Sequence, residues 1–207
     1  MKNFSVSKKL FFTFTTITAI FIIAVSMGLF SIFSIMQNFT AFHDTSYVSV
    51  KQAIGIRRDL HELEKGLLLA ITSDTSSDEQ KYEQTANDAA TQVGEEIAVL
   101  DTLVPENAEQ LDALHQKIEQ GAPVRQQILD LMKNNKKDEA LKVYREQYAP
   151  LAQEMRDLSS AIESDVSSRA DAAYSASLTA STIGFIVAVA ASAVALAVTI
   201  LLCIYIV

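Results

Sequence analysis

The chain has 207 residues, nearly half of them hydrophobic, and carries 25 acidic against 17 basic side chains for a net charge of −8 at pH 7. All 25 acidic residues and 14 of the basic ones fall between Asp44 and Asp171, which leaves that stretch at −11. A surface so acidic repels phosphate backbones and excludes nucleic acid as a partner, leaving small solutes, cations or proteins.

The predicted elements begin with residues 1–9, a cytoplasmic N-terminus under the positive-inside bias, because Lys2, Lys8 and Lys9 meet no acid there. Residues 10–35 are predicted as transmembrane helix 1. No charge occurs from Leu10 to Phe42, and roughly 20 such residues cross a bilayer as helix. A cleaved signal peptide is the competing reading, kept open by the segment AVSMG, but its apolar core spans only about 7 to 15 residues.

Residues 36–173 are predicted as an extracytoplasmic four-helix-bundle domain, because apolar residues repeat there at helical spacing and nowhere alternate as in a strand. A first helix over 36–73 carries the seam Ala53, Ile56, Leu60, Leu63, Leu67, Ala70, stepping three and four residues as facing helices require. TSDTSSDE then breaks the pattern, with Ser76 or Ser77 as N-cap of a second helix. That helix, over 78–104, carries Ala86, Ala89, Val93, Ile97, Leu100 and Val104. Pro105 fits the first turn of a third helix, 105–133, with the seam Leu111, Leu114, Ile118, Gly121, Arg125, Ile128, Met132. KNNKKD supplies the next turn. A fourth helix over 137–173 carries Leu141, Tyr144, Tyr148, Leu151, Met155, Leu158 and Ile162; the phase survives Pro150, which predicts a kinked but continuous helix.

The first and fourth helices match in length and would each rise about 55 Å, the middle pair about 40 Å. The expected fold is therefore all-α: an up-down-up-down antiparallel bundle whose outer helices continue into two transmembrane helices. Residues 174–207 form the second span and its lead-in, uncharged from Ala172 onward. Cys203, the single cysteine, fills the span or carries a lipid; it cannot staple the bundle internally. Two spans return the C-terminus to the cytoplasm. In the second span Ala180, Gly184, Ala188 and Ser192 recur every four residues, as do Ala24 and Gly28 in the first. This spacing lets helices approach closely in lipid, the alternative being Ala-rich filler.

Three segments carry a resemblance: SVSKKLFFTFTTITAIF, IRRDLHELEKGLLLAI and KKDEALKVYREQYAPLAQEMRDLSSAI. With the layout of the whole chain, they resemble the four-helix-bundle sensor domains of bacterial methyl-accepting chemotaxis receptors. The resemblance implies a homodimer in the inner membrane that senses a solute, or a solute-loaded binding protein, and passes a small helix displacement inward. In that family a HAMP linker and a methylated signalling hairpin follow the second span. Neither occurs here, so the chain is expected to be a sensing half, with cytoplasmic partners only if it continues past Val207. The alternative is a complete two-span protein that modulates partner receptors.

No catalytic constellation is present, so no enzyme, cofactor or metal site is expected. His43, His61 and His115 lack a His or Cys at i+3 or i+4, and Asp59, His61 and Glu62 read as solvated helix surface. Arg57 and Arg58 flank the first seam, and their rigid forks suit a carboxylate ligand at a dimer interface. The alternative is pairing with Glu62, Glu64 or Asp157. Arg125 interrupts an apolar seam, so it either snorkels outward or marks a polar pocket. Tyr144 and Tyr148 stand one turn apart and either line a pocket for a ring-bearing ligand or pack the core.

Overall fold

The structure is a computed structural model and describes residues 6–206, with side chains from residue 11 to 201 and at 204. Lys2 and the side chains of Lys8, Lys9 and Cys203, on which the topology and lipidation readings rest, lie outside the described residues. Nearly everything described is helix: α1 (Val6–Ala41), a π-helical turn (Phe42–Tyr47), α2 (Val48–Thr72), α3 (Ser76–Leu103), a 3-10 turn (Pro105–Asn107), α4 (Ala108–Lys133), α5 (Lys137–Val143), a second π-helical turn (Tyr144–Tyr148) and α6 (Ala149–Ile206). Two compact units result, His43–Asp171 forming one and Met1–Phe42 with Ala172–Val207 the other.

The His43–Asp171 unit is a four-helix bundle around one apolar core. Every residue of the first seam is buried, from Ala53 to Ala70, and so is every residue of the second, from Ala86 to Val104. These seams pack α2 along α3. A Cβ on Gly55 would overlap the Glu96 carboxylate, whereas one on Gly66 would meet Tyr82 and Ala86. The reversed order makes the pair antiparallel.

The turns follow local chemistry. Thr75, not Ser76 or Ser77, caps α3: its backbone is extended and its hydroxyl accepts from the Asp78 amide at 3.1 Å, while Asp78 and Glu79 favour the positive end of the helix. Thr75→Ala is expected to cost about 1 kcal/mol, read as an earlier loss of amide protection in the first turn of α3. At the other turn Asn135 takes a positive φ of 59°. The Asn135 amide then reaches Met132 O and the Lys136 amide Leu131 O, both at 2.9 Å, which ends α4 with its carbonyls satisfied.

Proline is absorbed in two ways. Pro123 sits inside α4. Pro150, which lacks an amide donor and crowds the carbonyl four residues back, follows the Tyr144–Tyr148 π-turn, where the Ala149 amide bonds Tyr144 O. Helicity thus continues through the proline because the turn before it widens. The buried face there runs Ala140, Tyr144, Tyr148, Ala152, Met155, Ser159, Ile162 and Val166. Leu141, Leu151 and Leu158 lie half-buried beside it, so the predicted fourth seam is off by one position at three points. Small residues hold the centre because they let α6 come close to its neighbours.

In the other unit, α1 and α6 each hold a stretch long and apolar enough to cross a membrane, with mean hydropathy 2.4 and 2.5. Large apolar side chains such as Phe14, Phe30, Phe185 and Leu196 stand exposed. The half-buried face of α1 carries Ala24, Gly28, Ser31, Ser34 and Asn38; that of α6 carries Ser181, Gly184, Ala188, Ala191 and Ala195. A Cβ on Gly184 would lie 2.8 Å from Ser31 Oγ, whereas one on Gly28 would meet nothing within 4 Å. Gly184 and Ala188 therefore stand on the packed face. Ala180 and Ser192 are exposed, because the face advances by alternating steps of four and three along a 3.6-residue turn and a strict four-residue count drifts off it.

Candidate functional site

Two features of the bundle combine space with polar chemistry. The first is a groove of about 610 Å³ between α2 and α3, with Lys51, Gly55 and Arg58 on one wall and Gln92, Glu95 and Glu96 on the other. Arg58 donates from Nε and Nη2 to the two carboxylate oxygens of Asp59, at 2.6 and 2.8 Å, and its Nη2 lies 3.6 Å from Glu96 Oε1. The hydrogen bonds to Asp59, then that carboxylate's charge, raise the Arg58 pKa.

Asp59 is buried, against the expectation of solvated surface, whereas His61 is exposed. It stands three residues after Ile56 and four before Leu63, hence on the flank of the seam turned to α3. Glu96 has only 12% of its side chain exposed, and its Oε2 is buried without a hydrogen-bond partner. Room for that carboxylate exists because residue 55 is glycine. Burial, then the charge of Asp59, pushes the Glu96 carboxyl up to about 7, with Arg58 opposing. One guanidinium thus stands beside two carboxyl groups, that of buried Asp59 and that of partly buried Glu96.

The second feature is a cavity of about 100 Å³ inside the bundle, walled by Leu60, Leu63, Val93 and Met155 and bordered by Gly121, Arg125 and Tyr148. Tyr148 is 2% exposed. Burial pushes its phenol up to about 12, opposed by the positive charge of Arg125. Tyr144 lies beside it, ring centroids 6.0 Å apart, but its hydroxyl turns away to donate to Glu64 at 3.2 Å. Burial and the neighbouring Tyr148 raise its pKa.

The five residues singled out from sequence as ligand contacts are therefore dispersed. Arg58 is in the groove, Arg125 and Tyr148 border the cavity, and Tyr144 joins Glu64. Arg57 pairs with Glu163 at 2.6 Å. Both arginines do meet acids, but not those expected, since Glu62 is engaged by Lys65, Glu64 by Arg156 and Asp157 by Gln153. Among the described residues no cluster of three or more His, Cys, Asp or Glu side chains is placed to hold a metal ion.

A family model described as a four helix bundle sensory module for signal transduction matches residues 3–179. The chain belongs to this family of sensory modules. No curated protein and no solved structure matches it.

The sensory module also holds a polar knot that no sequence pattern announced. Asn107, 2% exposed where α3 turns into α4, donates to Asp165 at 2.8 Å and Gln110 at 2.5 Å and accepts from Arg169. Arg169 also binds Asp165 at 2.5 Å and Glu106 at 2.5 Å. The turn before α4 is thereby tied to α6 shortly before Asp171. A buried Asn with its bonds made fixes one register between these segments.

Proposed function

We propose that this chain is the sensing and membrane-crossing part of a bacterial transmembrane receptor of the chemotaxis type. In this reading the two apolar stretches lie in the inner membrane, both ends face the cytoplasm, and residues 43–171 stand outside it. There a homodimer detects a small solute or a solute-loaded binding protein, and α6 carries a small displacement inward. The carrying observation is the family membership of residues 3–179. It is supported by α6 being one helix from Ala149 to Ile206, so that a bundle segment and an apolar segment share a backbone. A coupling of about 1–3 kcal/mol suffices, since it changes a two-state bias by roughly 5- to 150-fold. Pro150 and the π-turn before it set where that displacement is taken up.

The test joins residues 1–207 to the HAMP linker and signalling half of an intact receptor, in cells lacking their own receptors. The chimera is expected to alter swimming in response to at least one of a panel of amino acids and organic acids, and Pro150→Ala to change the size of the response. With Cys203→Ser in place, Glu119→Cys is expected to react with an impermeant maleimide on intact cells. A chimera silent to every solute, or a cysteine labelled only after lysis, sinks the reading.

A further inference from the structure

The bundle cavity carries more than packing. Its walls are mainly aliphatic, and two polar groups border it. Tyr148 is almost wholly buried, and its phenol feels the positive charge of Arg125. Arg125 is half-buried, and no carboxylate among the described residues pairs with it; of the other arginines, Arg57, Arg58, Arg156 and Arg169 are paired and the exposed Arg145 is not. One mainly aliphatic cavity is thus bordered by an almost wholly buried phenol and by a half-buried guanidinium that no described carboxylate neutralises.

The size and lining restrict what occupies it. An apolar cavity of about 150 Å³ accommodates benzene, so about 100 Å³ admits a molecule of only a few carbons. Phosphate or sulfate would find too few donors, and the aliphatic walls would gain nothing from either. A water would satisfy the phenol but leave the guanidinium without its counter-charge. A monocarboxylate with a short alkyl tail meets both demands, its oxygens accepting from the charged fork and the neutral phenol.

We propose that the cavity is a binding site for a short-chain monocarboxylate of about two to four carbons, held by Arg125 and Tyr148 with its tail against Leu60, Leu63, Val93 and Met155. The site touches all four bundle helices, so occupancy bears on their mutual packing. The proposal rests on the sensing reading, since it names the solute class, but its test does not pass through signalling.

The purified full chain in lipid nanodiscs is titrated calorimetrically with sodium acetate, propanoate and butanoate, with sodium chloride and benzoate as comparisons. Saturable binding of at least one of the three, at a single site per chain, is expected, with none for chloride or benzoate. Arg125→Gln should weaken it about tenfold or more, and Tyr148→Phe by several-fold. Gly121→Val should abolish binding by filling the cavity. Gly121→Ala is the folding control, because its Cβ would meet Met155 and Tyr148 at ordinary distances of 3.6 and 3.7 Å. No saturable binding, equal binding of chloride, or unchanged affinity in a folded Arg125→Gln chain would overturn the proposal. A chain that binds none of the three carboxylates while its chimera answers other solutes overturns this site and leaves the sensor reading standing; binding without any chimeric response does the reverse.

Discussion

Replacing Gly66 with leucine is expected to destabilise the bundle by about 3 kcal/mol, at the upper end of what overpacking a core costs. The reason is the kind of atom the new side chain would meet. A Cβ at Gly66 would lie 3.0 Å from the carbonyl oxygen of Tyr82 and 3.1 Å from the amide nitrogen of Ala86, both backbone atoms of α3. No rotamer change can move them, so α2 and α3 must separate, and the seams on either side lose contact together. Gly94, on the outside of α3 with nothing within 4 Å of its missing Cβ, is the contrasting case. Gly94→Ala should stabilise by about 0.5–1 kcal/mol through helix propensity alone. Thermal unfolding followed by circular dichroism should show a lower melting temperature for Gly66→Leu, by roughly 10 °C, and a small rise for Gly94→Ala. Equal behaviour of the two would mean that α2 and α3 are not in close backbone contact.

The same contacts explain how much of the bundle is legible in the sequence. The first two seams are legible because every core position holds an apolar residue at steps of three and four. Along α6 the centre of the buried face passes through Ala152 and Ser159, where larger neighbours such as Leu151 and Leu158 draw a reading based on side-chain size to the wrong column. Arg125 was conspicuous because a charge broke an apolar repeat, and Tyr148 because it followed Tyr144 by one turn. Glu96 had no such mark. In so acidic a chain one more glutamate carries no signal, and its burial depends on the absence of a Cβ at Gly55, on a different helix. Asn107 escaped for the same reason: its partners Asp165 and Arg169 belong to a distant segment, and only the fold brings them together.

Glu96 also makes stability depend on pH in a direction opposite to that of most carboxylates. An ordinary carboxyl near 4.5 is pushed up to about 7 in the folded bundle, mainly by burial. Between those values the folded chain binds more protons than the unfolded one, so the free energy of unfolding falls as pH rises. The contribution is complete below about 4.5 and lost above about 7. Its size is about 2 kcal/mol, somewhat less than the full shift would give, because the carboxylate is not wholly removed from solvent and Arg58 remains beside it. Glu96→Gln keeps the shape and removes the titration. Urea unfolding at intervals from pH 4.5 to 8 should therefore find the variant similar to the parent at the acid end and about 2 kcal/mol more stable at pH 8. Gly55→Ala should reproduce part of this gain, since a methyl group there displaces the flexible carboxylate toward the groove, where water can solvate it. Parallel pH curves for the parent and Glu96→Gln would show that the buried oxygen is solvated after all. A gain confined to high pH would show instead that α2 and α3 are held less firmly once Glu96 is charged, so that protons and any ligand of the bundle act on the same helix pair.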